Sequence, residues 1–427
     1  MLLHKRYTKH SYIEHRIEDK PDAVTCQAFC VEEEGRAMAV YSKEMHQTSQ
    51  EILDFADLVF SLSSGSTDFE AILPKAYSQA RQHIVTHHVM REKGAIQALV
   101  DVYPLTLAAG DLSLKCGYIG TVSVHPKARS KGYMIELMAK AQEDMRSQGY
   151  DMIILDGNRH RYQHYGFEKA GMKYCFNVTS DSIRHACSAV ADLKTPVFQL
   201  IESAEDDLLD SIYEIYSRRN VTARERTASI RVCRAGEPAD LYAVMLEEKC
   251  VGYLNTSEDG SSLYEIGLLD EQILPAVIYA YMQEMDIDEL GINVGMDETA
   301  KLPLLDHVSD YYTVSMSHQI RILQYESVIA FLLHWKRQYT SLQEGTFVLG
   351  IKEDQNTETI KITITEKDIC VEKTTEPAQI MYDGLTLVKE LTTSYYYIAM
   401  QSKESALYQA PQGWFPLPFF LPEADAF

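Results

Sequence analysis

Between Gln50 and Phe60 the apolar residues Ile52, Phe55, Ala56, Val59 and Phe60 recur at the three- and four-residue spacing of one helix face, with Thr48 or Ser49 in front as a cap. This pattern predicts an amphipathic helix. Upstream, residues 12–42 read as short extended segments, Ala23-Val24-Thr25 and Ala37-Met38-Ala39-Val40-Tyr41, parted by the acidic turn Glu32-Glu33-Glu34-Gly35. Downstream, strand-like runs at 84–91, 95–104 and 112–124 are separated by turns at Lys93-Gly94 and Ala109-Gly110, which predicts an antiparallel meander. Met134, Leu137, Met138, Ala141 and Met145 then mark one face of a helix from about Lys131 to the breaker Gly149. The uninterrupted run Met152-Ile153-Ile154-Leu155 reads as a buried strand. Strand, helix, meander, helix, strand describes an α+β domain ending near Asn177.

A helical stretch at 204–218 follows. Strands at 241–255 and 263–268 and a helix at 274–285 then repeat the order of the first domain, as a degenerate second copy would. From about Gln319 the pattern changes to a helix at 327–336 and alternating strands at 345–352, 357–365 and 369–374, a third and smaller α+β domain. The expected divisions are 1–178, 179–318 and 319–427. The run Tyr395-Tyr396-Tyr397 reads as strand residues packing on two faces. Residues 411–422 interleave prolines with Trp414, Phe415, Leu417, Phe419, Phe420 and Leu421, so the tail cannot be a helix yet has much to bury. It is expected to dock across the protein and position Phe427.

A chain of 427 residues exceeds one ordinary core, and 46% hydrophobic with 24% charged residues is the balance of a folded protein. No stretch reaches the ~18 uninterrupted apolar residues of a membrane span, and the start lacks the apolar run of a secretory signal, so a cytoplasmic protein is expected. The net charge of -22, from 62 acidic against 40 basic side chains, disfavours nucleic acid and anionic lipid and favours a cationic partner. The same charge also serves solubility. The 8 cysteines form no C-x-x-C pair, so neither a metal site nor a disulfide framework is indicated.

The chemistry concentrates in Tyr118-Ile119-Gly120-Thr121-Val122-Ser123-Val124-His125-Pro126-Lys127-Ala128-Arg129-Ser130-Lys131-Gly132-Tyr133-Met134, which runs from strand through loop into helix. A glycine-containing loop at a helix start exposes unpaired backbone N–H groups beside the positive end of the helix dipole, a setting that favours pyrophosphate. Pro126 ends the strand, and Arg129 and Lys131 add charge where anionic oxygens would lie. Alone, such a turn reads more readily as a capped surface loop. The pattern V-x-V-x-P-x-x-R-x-x-G-Y-M followed by a helix, however, resembles the acetyl-CoA loop of the GNAT superfamily of N-acetyltransferases, whose usual form is R/Q-x-x-G-x-G/A. Arg129 and Gly132 match; Met134 replaces the final small residue, which is similar to the Eis-like (enhanced intracellular survival) branch. Downstream, Tyr162-Gln163-His164-Tyr165-Gly166-Phe167 resembles that branch's Tyr-x-x-x-Gly-aromatic segment. Ile72-Leu73-Pro74-Lys75-Ala76-Tyr77 and Val102-Tyr103-Pro104-Leu105 are softer likenesses.

The resemblance implies an α+β chain of tandem GNAT-fold domains, mixed sheets with flanking helices, followed by a sterol-carrier-protein-like α+β domain. In the middle copy the corresponding junction, Tyr264 to Leu274, has no Arg-x-x-Gly, and Asp270 and Glu271 would repel phosphates. The resemblance further implies transfer of acetyl from acetyl-CoA to an amine of a cationic small molecule or protein lysine, without a metal. Val122, Val124, Arg129, Ser130, Lys131, Gly132, Tyr133, Met134 and Asn158 would hold the co-substrate. Tyr162 would protonate the departing sulfur, and the terminal carboxylate of Phe427 would be the general base. The tail could otherwise merely pack the third domain on the first, with Glu423 and Asp425 binding the acceptor. Asp54 and Asp57 are candidates for an acidic acceptor cleft, and Asn158 and Arg161 for shaping the acceptor pocket or standing in solvent. His125, His160 and His164 receive no base role, because no orienting carboxylate can be placed from sequence. The resemblance allows a homo-oligomer. A rival reading gives the work to the third domain, as a non-catalytic apolar-ligand or CoA-binding protein.

Overall fold

The computed structural model describes residues 25–26, 39–45, 49–65, 67–77, 84–187, 195–202, 207–223, 239–353, 356–393 and 406–427. The expected extended segment at Ala23-Val24 and the Tyr395-Tyr396-Tyr397 run lie outside them, as does the start of the expected helix at 204–218.

The meander forms as the alternation predicts. Thr86–Glu92, Ala95–Ala109 and Leu112–Val124 pair antiparallel in sequence order. Lys93 and Gly94 both take positive φ, 52° and 85°, as a two-residue hairpin turn matched to strand twist requires. The second strand does not end at Pro104, where the sequence suggested a break. Pro104 pairs with Gly117 in mid-strand, at a point where pairing to Thr86–Glu92 has stopped at Val102 and the short strand Thr222–Ala223 has not yet begun at Leu107. A missing amide hydrogen on that open edge costs no ladder bond.

These strands belong to a nine-stranded sheet with a different apolar layer on each face. Helix Tyr133–Ser147 covers one face through Leu137, Met138, Ala141 and Met145, the periodic residues read from the sequence. The other face packs against Ile52, Phe55, Ala56 and Val59 of helix Gln50–Ser64, and against helix Tyr325–Arg337 of the third part of the chain. A seven-stranded sheet follows, with helices Leu274–Glu284 and Leu208–Tyr216 packed in separate clusters. A four-stranded sheet of Ile369–Lys373, Asn356–Ile364, Gly345–Glu353 and Ile380–Asp383 completes the fold. No helix among the described residues is long and apolar enough to cross a membrane.

Two strands cross between the larger sheets. Lys173–Thr179 inserts between Glu289–Gly295 and Tyr311–Ser315 of the second sheet. His318–Ile322 makes the reciprocal move, between Met152–Leu155 and Glu168–Ala170 of the first. Each sheet is thus completed by a strand from the other half, and the expected divisions at 178 and 318 fall against the exchanged strands. Alternation identifies a strand and its buried face but not its partner.

The tail binds all three parts. Trp414, Leu417 and Phe419 are fully buried. The Leu417 amide donates to Leu391 O (2.5 Å), the Met172 amide to Phe419 O (3.2 Å) and the Leu421 amide to Ser317 Oγ (3.1 Å). Lys336 donates to the carbonyls of Pro416 (2.5 Å) and Trp414 (3.3 Å), and burial pulls its pKa down to about 7. Gly171, at φ +71°, lets the tail pass: a Cβ there would overlap the Phe419 carbonyl oxygen. Gly171→Ala is therefore expected to destabilise the fold by ~2–4 kcal/mol, from left-handed backbone strain plus overpacking. The measurement is a lower urea midpoint at unchanged m-value; an unchanged midpoint would show that the tail is not clamped there.

Candidate active site

The site begins where two parallel strands part. Leu112–Val124 pairs with Met152–Leu155 from Cys116↔Met152 to Ile119↔Leu155 and no further. On its other side it stays paired as far as Val124↔Ala98. One edge of the strand beyond Gly120 is thus left without a strand partner, and its amides and carbonyls remain available to a ligand. At this point Thr121 and Val122 stand opposite Val100 alone, a bulge, and Thr121 takes φ 49°, unusual for a β-branched residue. A buried polar cluster holds that conformation. Thr121 Oγ1 bonds the hydroxyls of Tyr77 (2.7 Å) and Tyr103, Tyr77 donates to Asp101 Oδ2 (2.5 Å), and His87 Nδ1 lies 2.7 Å from Asp101 Oδ1.

The loop that follows winds into helix Tyr133–Ser147 through Ser130 at φ 67° and Gly132 at φ 87°. The first helical bond after Gly132 is Glu136 N to Gly132 O, so the amides of Tyr133, Met134 and Ile135 precede any intrahelical acceptor. Val122, Val124, Arg129, Ser130, Gly132, Tyr133 and Met134 line one cavity of about 590 Å³, together with Arg161. Lys131, Asn158, Tyr162 and Phe427 are not among its lining residues. Lys131 pairs with Glu92 at 2.7 Å, and Tyr133 OH bonds the same carboxylate. Asn158 caps the short helix Arg159–Tyr162 by accepting from Arg161 N at 3.4 Å. Unspent amides, a helix dipole and the Arg129 guanidinium suit the diphosphate of a CoA thioester, while Val122, Val124 and Met134 suit its slender arm.

Tyr162 is 6% exposed and belongs to the apolar cluster against which Val122, Val124, Tyr133 and Met134 also pack. Gly157 passes under its ring edge, where a Cβ would come within 2.6 Å. Burial pushes the Tyr162 pKa up, and the nearby Arg161 charge opposes this in part. Phe427 approaches from the opposite face of the sheet. Its ring stacks on Tyr103, centroids 4.9 Å apart and planes 8° apart, with Lys75 Nζ 5.1 Å from the ring centroid. Lys75 also donates to the carbonyls of Ala424 (2.9 Å) and Ala426. The chain end is thereby tied through Tyr103 to the bulge at Thr121.

One group beside the chain end escaped the sequence reading. Tyr118, whose ring lies 6.0 Å from that of Phe427, donates to Asp156 Oδ2 at 3.0 Å. His318 Nε2 lies 3.3 Å from the same oxygen, and its Nδ1 meets Ser317 Oγ at 2.9 Å. Burial holds the His318 pKa down at about 4 and raises that of Asp156. His318 arrives on an exchanged strand, so nothing local could have linked it to Asp156. Tyr77 and Tyr103, by contrast, fall in the two softer family-like segments. The other acidic candidates have structural partners: Asp57 accepts from Phe69 N (2.8 Å), Asp54 from Gln50 (2.9 Å), Asp425 from Tyr216 OH (3.2 Å), and Glu423 pairs with Lys173 (3.2 Å). His125 Nδ1 accepts from Lys127 N at 3.2 Å.

Residues 43–170 match the model of the acetyltransferase (GNAT) domain, and the parted strands and the loop lie within the matched residues. No curated protein sequence is similar enough to match the chain. Among solved structures, a protein of Enterococcus faecalis V583 described as a probable N-acyltransferase superposes with TM-score 0.65 at 14% identity, covering 90% of this chain and 98% of that one. A GCN5-related N-acetyltransferase from Kribbella flavida gives TM-score 0.60 at 13% identity, over 84% and 92%. Eis1 from Mycobacterium abscessus gives TM-score 0.58 at 14% identity, over 91% and 100%. At these identities the likeness is one of fold, and it extends over most of the chain.

Proposed function

We propose that the protein is an N-acetyltransferase of the Eis-like branch that transfers acetyl from acetyl-CoA to a cationic amine. The observation that carries the reading is a parted strand pair whose free edge at Val122 and Val124 lines one cavity with Arg129, Ser130, Gly132, Tyr133 and Met134; Tyr162 belongs to the apolar cluster on which that edge packs, and Phe427 stacks on Tyr103. On this reading the two larger sheets are tandem GNAT-fold units, the second without a cofactor loop. The last part is a sterol-carrier-like unit, and the protein works in the cytoplasm.

Bound acetyl-CoA supplies the acetyl thioester. Arg129, Ser130 and the amides of Gly132 to Ile135 bind its diphosphate, and the free edge at Val122 and Val124 orients its arm and polarises the carbonyl. The N–C bond forms as the C–S bond breaks: the Phe427 carboxylate accepts a proton from the amine nitrogen, and the Tyr162 hydroxyl gives one to the leaving sulfur. A tyrosine hydroxyl is protonated at neutral pH, and burial raises the Tyr162 pKa further above it. Asn158, by capping the helix that carries Tyr162, and Lys131, by holding Glu92, position the machinery from outside the cavity. The overall charge of -22 and the carboxylates of Asp156 and Glu423 near the chain end favour a cationic acceptor.

Tyr162→Phe is expected to lower kcat by about 10²-fold with acetyl-CoA affinity within twofold, because only the proton is removed. Thiol release over a panel of polyamines and aminoglycoside-like amines measures it. Unchanged kcat would take the acid role from Tyr162, and no turnover by the wild type with any amine would sink the enzyme reading.

A further inference from the structure

The second sheet repeats the parting of parallel strands. Ser262–Leu268 and Glu289–Gly295 pair only at Ser262↔Gly291 and Leu263↔Ile292. A cavity of about 470 Å³ opens past their C-terminal ends, closed on one side by Gln338 and Tyr339 from the third part of the chain. The equivalent place in the first sheet is edged by Val122 and Val124; here the lining is charged.

The charges do not balance. Arg219 is held by Glu298 (3.0 Å) and Glu265 (3.5 Å), and Lys301 by Glu298 (3.0 Å) and Glu271 (3.4 Å). Asp297 adds a further carboxyl, 6% exposed, so Glu265, Glu271, Asp297 and Glu298 stand around Arg219 and Lys301, while Arg218, which also lines the cavity, is paired with Glu214 at 3.0 Å. Trp335 Nε1 and Asn220 Nδ2 both donate to Asp297 Oδ2, at 3.0 and 3.2 Å. Its Oδ1, the Oε2 of Glu271 and the hydroxyl of Tyr339 are buried without a hydrogen-bond partner, as is Nε of Arg219. Buried orphans of this kind are few in a native fold, and four around one cavity call for an occupant. Three of the four can accept. Burial raises the carboxyl pKa of both Asp297 and Glu271, and the neighbouring Glu298 carboxylate raises both as well.

We propose that this cavity binds a small organic cation bearing a primary ammonium group, at a site separate from the acetyl-transfer centre. An ammonium brings three N–H donors and no acceptor, which complements Asp297 Oδ1, Glu271 Oε2 and Tyr339 OH and supplies the missing positive charge. A bare metal ion is a poorer match, since no group of His, Cys, Asp and Glu among the described residues is arranged to hold one. The apolar walls at Ile215 and Leu268 leave room for an alkyl chain. Bound there, the cation would bridge the second sheet to Tyr339, just after the helix Tyr325–Arg337 whose Lys336 anchors the tail.

The test is calorimetric titration of the full chain with 1,4-diaminobutane, with and without saturating acetyl-CoA. Binding is expected in both cases, to weaken at least tenfold in Glu271→Gln and in Asp297→Asn, and to persist when Phe427 is deleted. Because Asp297→Asn also disturbs the Trp335 and Asn220 contacts, Glu271→Gln is the deciding variant; its melting temperature without diamine should equal that of the wild type, as should its kcat. The proposal is overturned by no binding at millimolar diamine, by wild-type affinity in Glu271→Gln, or by equal displacement of the diamine by magnesium chloride at matched ionic strength. Loss of all diamine binding on deleting Phe427 would do so too, by placing the amine in the acetyl-transfer centre alone.

Discussion

Gly132→Glu is expected to weaken acetyl-CoA binding by about 10³-fold, because a carboxylate set against a diphosphate costs several kcal/mol. Steric crowding is not the cause, since a Cβ at this position meets nothing within 4 Å. Two other effects add. Gly132 caps helix Tyr133–Ser147 at φ +87°, so any side chain strains the loop, and the new charge faces amides that the co-substrate would otherwise use. Gly132→Ala separates them: it carries the backbone strain without the charge and should lose only about tenfold. Calorimetry with acetyl-CoA and with CoA reads both variants. Wild-type affinity in Gly132→Glu would move the diphosphate away from this loop.

The second large effect is expected at the other end of the chain. Deleting Phe427 or extending the chain beyond it should lower kcat by about 10²–10⁴-fold, the usual worth of a positioned proton acceptor, with acetyl-CoA affinity nearly unchanged. Deletion leaves a carboxylate one residue short, a displacement of ~3.8 Å along the chain, and removes the ring that stacks on Tyr103. Extension keeps the ring and removes only the charge. Phe427→Leu keeps the charge and loses the stacking, so it should retain more activity than either. Unaltered turnover in the extended protein would move the base elsewhere, first to the Asp156 carboxylate shared by Tyr118 and His318.

Local pattern carried much of the fold and part of the site. The apolar stripe at Ile52, Phe55, Ala56 and Val59 lies on a helix that the structure extends to Ser64, and the Met134 to Met145 stripe lies on Tyr133–Ser147. Residues 345–374 form three adjacent strands in the third sheet, as alternation foretold, whereas the parallel strand Ile380–Asp383 and helix Gly384–Thr392 were not read from the sequence. Ile380–Asp383 is too short to stand out; it pairs because Gly345–Glu353 offers it an edge.

The sequence by itself determined the loop from Arg129 to Met134, the tyrosine that follows it and the apolar tail. Each of these is a local matter: a glycine where the backbone must turn left-handed, a helix that starts after it, a run of residues too apolar to remain in water. Only the tertiary structure decided which strands complete which sheet, that Tyr118 and His318 meet at the Asp156 carboxylate, and that Phe427 stacks beside the bulge at Thr121. Those relations rest on pairing and packing between segments hundreds of residues apart. Hydrophobic periodicity names the face a residue buries but is silent on what it is buried against.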